Sequence, residues 1–225
     1  MSHIHTEAND PLVIDNAEAA RLLQGAPWRR FAVMGDSVAE GIGDPSPGYA
    51  TSPWADRVAA ALRVGQPDLE YLNTGRMGAA TRSVIRHQLD QVIDFGPDLV
   101  HITCGANDLW QSDPDIEALA HNLDHLFRTV AKQGAQISTV AFADAFIGPT
   151  MGPMRSRIHT LNEIVRELAQ DYDAILLDLW EHPLRLRTDL LSADLVHFAM
   201  SGHAVVASEM IKALATAAQP RHRVA

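Results

Sequence analysis

The 225-residue chain carries one cysteine, Cys104. A single thiol closes no disulfide within the chain and builds no cysteine-based zinc cluster. It leaves the compartment open, since a one-cysteine protein folds in either redox environment. Basic residues are also scarce: 18 Lys and Arg stand against 28 Asp and Glu, for a formal net charge of −10. Nucleic-acid binding needs a lysine and arginine footprint to displace counterions from phosphate, and this balance argues against that class. The arginine pairs 155/157 and 185/187 form no basic cluster. No apolar window approaches the length of a membrane-spanning helix. The first ten residues hold no cationic segment followed by an apolar stretch, so no secretory leader is read and a cytoplasmic location is expected. Internal repeats, low-complexity tracts and Pro-, Gly- and Ser-rich linkers are absent too.

What is present suits one packed domain. The chain is 47% hydrophobic, long enough for one core and short for two. The reading is an extension over 1–27 with a helix at 17–23, a single domain over 28–219, and a tail over 220–225. Within the domain, apolar runs rich in β-branched residues alternate with longer amphipathic segments. Strands are expected at 30–34, 69–73, 99–104, 136–142 and 174–179. Helices are expected at 53–62, 81–95, 115–132, 154–171 and 201–217. Such alternation predicts right-handed βαβ crossovers and an α/β fold whose parallel sheet is covered on both faces. The continuous apolar run Ala174-Ile175-Leu176-Leu177 fits a sheet buried on both sides. Ser52 before Pro53 reads as an N-cap followed by proline at the first helical position, and Ser201 can cap the last helix.

Four polar clusters fall at or beyond the carboxyl ends of these strands, the edge where open α/β sheets bind ligands. They are Gly35-Asp36-Ser37, then Asn73-Thr74-Gly75-Arg76-Met77-Gly78, then Gly105-Ala106-Asn107-Asp108, and finally Asp194-Leu195-Val196-His197. Parallel strands bring such ends together. A serine exposed on a strand-end turn is a candidate nucleophile, provided a base takes its proton and donors stabilise the oxyanion. Taken by itself, Ser37 reads equally as a cap of the helix that follows.

Together the blocks resemble the GDSL family, also called the SGNH hydrolases: Gly-Asp-Ser, Asn-x-Gly-x-x-Gly, Gly-x-Asn-Asp and Asp-x-x-His occur in family order from Gly35 to His197. The first block reads Gly-Asp-Ser-Val where the family name has leucine, at a position that packs rather than reacts. The resemblance implies a three-layer α/β/α, flavodoxin-like sandwich with about five strands. It implies a serine esterase, deacetylase or lipase acting through an acyl-enzyme on a small-molecule ester, with no cofactor and no metal. Ser37 would be the nucleophile, His197 its base, and Asp194 the group that fixes the imidazole tautomer. The oxyanion hole would combine the backbone N–H groups of Ser37 and Gly75 with the side-chain amide of Asn107. Glycine at 75 would let the backbone approach a substrate closely.

Each assignment has a bland counterpart. Asp36 reads as a turn-bonding residue, Asp108 as a loop-bonding one, and Asp194 could serve only as a cap or surface acid. His203 lies inside the last helix and reads as a packing or hydrogen-bonding residue rather than a second base. His121 and His125 stand at i, i+4 but lack a third ligand, so a solvated helix face is expected. The Gly75–Gly78 turn lacks both a dinucleotide glycine pattern and a phosphate-loop lysine. Cys104, at a strand end, reads as core rather than nucleophile. Substrate contacts are expected from Trp110 and from Phe146, Ile147 and Met151 in the Gly/Pro-punctuated segment 144–153, with a simple core-shielding role as the alternative. An acyltransferase would use the same acyl-enzyme with an alcohol or sugar acceptor, and a non-catalytic binding module would keep only the fold. Oligomeric state is not legible.

Overall fold

Five short apolar runs become the strands of the computed structural model, which describes residues 5–145 and 152–219. They are β1 (Arg30–Gly35), β2 (Glu70–Asn73), β3 (Leu99–Thr103), β4 (Gln136–Ala141) and β5 (Ile175–Asp178). All pair in parallel, in the order β2-β1-β3-β4-β5. Along β1 the side chains alternate between two cores. Phe31 and Val33 enter one apolar cluster and Ala32 and Met34 the other, as the two-residue period of a strand requires. The central strands β1, β3 and β4 are buried at almost every position, whereas β2 and β5 at the edges are partly open.

Helices cover both faces. On one side lie α1 (Asn16–Leu22), α3 (Trp54–Gly65) and α8 (Met200–Ala218), which pack on one another. Val58 and Leu62 of α3 are fully buried there, each contributing about 1.5–3 kcal/mol relative to exposure. The other side holds α4 (Thr81–His87), α5 (Leu89–Phe95), α6 (Ile116–Ala131) and α7 (Gly152–Asp171). A one-turn helix α2 (Ser37–Glu40) follows β1 directly. The result is the expected three-layer α/β/α sandwich. No described helix is long and apolar enough to cross a membrane.

Several local expectations are corrected. The helix expected over 81–95 is two helices broken at Gln88, whose side chain is buried. Ser52 does not cap α3; Pro53 occupies the cap position and offers no side-chain bond. Ala199 holds the cap position of α8, while Ser201 sits in its first turn with its hydroxyl bonded to the Asp189 carbonyl. The described part of the N-terminal extension packs onto the domain. Asp15 caps α1, Leu23 is 1% exposed, and buried Asp10 pairs with Arg187.

This strand order changes direction between β1 and β3, the switch point at which such sheets open a crevice at their carboxyl ends. Ser37 follows β1 and Asn107 follows β3.

Candidate active site

The turn after β1 is built around a glycine that nothing else can replace. Gly35 has φ +144°, and a Cβ there would meet the Thr103 carbonyl oxygen at 1.8 Å. This close approach lets the Asp36 N–H donate to Thr103 O at 3.0 Å, continuing the β1–β3 ladder past its end. Asp36 then caps α2, accepting from the Val38 N–H at 3.0 Å. Ser37 is therefore the first residue of a helix, only 8% exposed. Its N–H, one of the orphan donors of a helix start, has no partner among the described residues.

His197 Nε2 lies 2.8 Å from Ser37 Oγ, and its Nδ1 lies 2.6 Å from Asp194 Oδ2. The other carboxylate oxygen of Asp194 accepts from the N–H groups of Val196 at 2.9 Å and His197 at 3.0 Å. Three-residue spacing thus lets one aspartate shape the loop and hold the imidazole. The His197 hydrogen bond, helped by those two backbone donors, holds the Asp194 carboxyl down to about 2. Leu195 between them adopts a left-handed conformation with φ +59°, unusual for a bulky residue and typical of strained functional turns. The loop is braced from outside. Asp44 accepts from Ala193 N–H at 2.8 Å, and Ser192 Oγ accepts from Asp44 N–H at 2.9 Å. Buried His203 supports the same loop at one remove. It accepts from Trp54 N–H through Nδ1 and donates through Nε2 to Ile42 O at 3.1 Å. Burial lowers its pKa to about 4, consistent with a neutral structural histidine.

The Gly75 N–H, expected as an oxyanion donor, is engaged within its own turn. It donates to Asn73 Oδ1 at 2.9 Å, and a Cβ on Gly75 would meet the Glu40 nitrogen at 2.3 Å. Glycine is needed there so that this turn can pack on α2, not so that a substrate can approach. Gly78, three residues on, stands on the cavity wall with Ser37, Asn107 and His197. It has φ +77°, and nothing lies within 4 Å of the place a Cβ would take. Its N–H has no partner among the described residues. Asn107 sits in a short 3₁₀ turn after β3 and spends one amide N–H on Ala79 O at 3.1 Å. Asp108 ties that turn to α4, accepting from Thr81 N–H at 2.9 Å and Thr81 Oγ1 at 2.7 Å.

These groups open onto a cavity of about 310 Å³. Its buried wall includes Ala143, Met154 and Ile158, and its rim Met77 and Trp110, which are 65% and 51% exposed. Phe146, Ile147 and Met151, expected to contact substrate, lie outside the described residues. Cys104 is buried, as expected. His121 and His125 lie on α6, and among the described residues no group of three His, Cys, Asp or Glu side chains could hold a metal ion.

A family model described as "GDSL-like Lipase/Acylhydrolase family" matches residues 33–205. The chain belongs to that family. Membership makes it a carboxylic ester hydrolase, and the matched span contains all four polar blocks. A search of curated proteins finds no match. Solved structures share the architecture at low identity. An α/β hydrolase from the metagenome of Lake Arreo, Spain, is 21% identical with a TM-score of 0.68, over 86% of this chain and 97% of that one. An acetylxylan esterase from Geobacillus stearothermophilus is 22% identical with a TM-score of 0.67, over 83% and 94%. A psychrotrophic esterase from Pseudoalteromonas sp., crystallised inhibited by monoethylphosphonate, is 19% identical with a TM-score of 0.65, over 84% and 97%.

Two features of this hydrolase escaped the sequence reading. Gln88, where α4 and α5 break, turns its amide onto the backbone of Gly35. Oε1 accepts from the Gly35 N–H and Nε2 donates to the Gly35 carbonyl, both at 2.8 Å. β2 has already ended at Asn73, opposite Val33, so the Gly35 N–H takes a side-chain acceptor, while the Gly35 carbonyl is shared between Gln88 and the Arg76 N–H at 3.1 Å. The second is the state of Asp36. Full burial pushes its carboxyl up to about 7, against the opposing pull of the Val38 N–H.

Proposed function

We propose that this esterase works through a Ser37 acyl-enzyme. The observation that carries the reading is the unbroken hydrogen-bond chain Asp194–His197–Ser37 at the carboxyl edge of the sheet. Ser37 Oγ attacks the ester carbonyl as its proton passes to His197 Nε2. Asp194 accepts from Nδ1–H, which keeps Nε2 free to act as the base and stabilises the imidazolium that forms. The developing oxyanion takes hydrogen bonds from the N–H groups of Ser37 and Gly78 and from the second amide N–H of Asn107. Collapse of the tetrahedral intermediate breaks the carbonyl–alcohol bond, and the departing oxygen takes the proton from His197. Water then attacks the acyl-enzyme, giving a proton to His197 that returns to Ser37 Oγ as the acid leaves.

Gly78 replaces Gly75 in this scheme because Gly78 lines the cavity and its N–H has no partner among the described residues, while that of Gly75 is spent on Asn73. Ser37→Ala is expected to abolish turnover of a short-chain aryl ester with the far-ultraviolet circular dichroism unchanged; wild-type turnover in that variant would remove Ser37 from the mechanism. Transfer to an alcohol or sugar would share the acyl-enzyme. Product analysis with an added acceptor separates the two, hydrolysis alone being the result expected here.

A further inference from the structure

The cavity beside Ser37 says which part of an ester it recognises, an inference that rests on the Ser37 reading above. Five of its lining residues carry carboxyl, hydroxyl, amide or imidazole groups: Asp36, Ser37, Asn107, Asp194 and His197. Each is committed, Asp36 to capping α2 and the other four to the proposed chemistry. Among the described residues that line it, the only other one with a nitrogen or oxygen in its side chain is exposed Trp110. Phe142, Met154, Ile158, Leu191 and Phe198 supply the enclosing surface. A site that selects a sugar places donors and acceptors against its hydroxyls. A sugar turned inward would lose water at its hydroxyls and gain no partner from the described wall, which is costly, and an acetyl group with its sugar at the open rim would leave that wall unfilled. An alkyl chain loses nothing there and gains burial.

We propose that the substrate is an ester of a medium-chain aliphatic acid, not an acetylated sugar. The acyl chain lies along the buried wall of Ala143, Met154 and Ile158, which are 3%, 7% and 1% exposed. The alcohol leaves past the exposed rim of Met77 and Trp110. An apolar cavity of about 150 Å³ holds benzene, with six non-hydrogen atoms, so the cavity of about 310 Å³ accommodates roughly ten. That is an acyl group of about six to eight carbons with its ester linkage. Acetylxylan esterases among the solved structures share the fold, and at such identity the fold does not bring their substrate with it.

The test is kcat/KM for p-nitrophenyl esters from acetate to laurate, with acetylated xylo-oligosaccharides alongside. Each buried methylene is worth up to roughly fourfold. Hexanoate or octanoate should therefore exceed acetate by at least about tenfold, with laurate lower than the optimum and the acetylated oligosaccharides below hexanoate. Two substitutions move the optimum in opposite directions. Ile158→Ala lengthens the wall and shifts it to longer chains, and Ala145→Leu shortens the cavity and shifts it to shorter ones. Each is checked for folding by thermal unfolding, so that loss of one variant leaves the other. An optimum at acetate, or a flat series, with turnover still dependent on Ser37 overturns the chain assignment and leaves the mechanism standing. Absence of Ser37-dependent turnover on every ester defeats the mechanism and this inference with it.

Discussion

Replacing Gln88 by leucine should weaken the fold and slow the chemistry together, because one buried amide serves the turn that carries Ser37. Gln88 is 3% exposed and makes three hydrogen bonds: from Gly35 N–H at 2.8 Å, to Gly35 O at 2.8 Å, and from Thr74 Oγ1 at 3.2 Å. Leucine removes all three. The Gly35 carbonyl keeps Arg76 N–H at 3.1 Å and the Thr74 hydroxyl keeps Val33 O at 3.2 Å, so the group left without a partner is the Gly35 N–H. An unsatisfied buried donor costs about 1–3 kcal/mol, and the lost bonds bring the total to about 2–4 kcal/mol. For a chain of this size each kcal/mol lowers Tm by about 2–4 °C, giving a fall of roughly 4–16 °C. Gly35 is two residues before Ser37, and a small displacement of that turn should lower kcat by about tenfold or more. The assays are thermal unfolding and aryl-ester kinetics. The Gln88→Glu variant sharpens the test. Its ionised carboxylate accepts from Gly35 N–H but faces the Gly35 carbonyl without a proton to offer, whereas its protonated form can donate. Its stability relative to wild type should therefore improve as pH falls. A Gln88→Leu protein with Tm within about 2 °C of wild type and unchanged kcat would show that the amide is incidental.

Asn107→Ala should lower kcat by roughly 100- to 1,000-fold, the usual cost of one oxyanion donor, with little change in Tm; an effect confined to KM would contradict the role. The two glycines should separate by readout. Gly75→Ala drives a Cβ into the backbone of α2 at 2.3 Å and should show itself as instability. Gly78→Ala meets no atom within 4 Å but keeps a φ of +77°, so it should cost about 1–2 kcal/mol of stability and a larger share of kcat. Asp36 gives a pH signature. Its carboxyl rises from 3.8 in the unfolded chain to about 7 in the fold, so between these values the folded state binds the extra proton. Stability should then fall as pH rises through that window, by up to roughly 4 kcal/mol, and Asp36→Asn should remove the dependence. Parallel unfolding profiles for the two proteins from pH 4 to 8 would contradict it.

Much of this molecule could be read from residues alone, because the informative signals are local. Each strand is an apolar run closed by a polar block, and the parallel topology then makes the block ends neighbours, which brought Ser37 and His197 within 2.8 Å across 160 residues. Asp36, Asp108, His203 and Cys104 likewise took the structural places expected of them. What stayed hidden depends on long-range partners. Gln88 lies in a segment whose helical period runs through it, and only the ending of β2 at Asn73 creates the gap its amide fills. Gly75 and Gly78 are equally plausible in a turn until one knows that the Asn73 carboxamide has claimed the first N–H. Ser201 resembles a cap by type, but its hydroxyl finds the Asp189 carbonyl, supplied by a loop that packs there only in the folded chain.

The most direct test of the account is covalent. Incubated with a fluorophosphonate, the protein should gain one adduct per chain, and peptide mapping should place it on Ser37. The Ser37→Ala protein should gain none, and ester turnover should fall in step with labelling. An adduct on another residue, or full esterase activity in a protein that takes no label, would contradict the assignment of Ser37 as nucleophile.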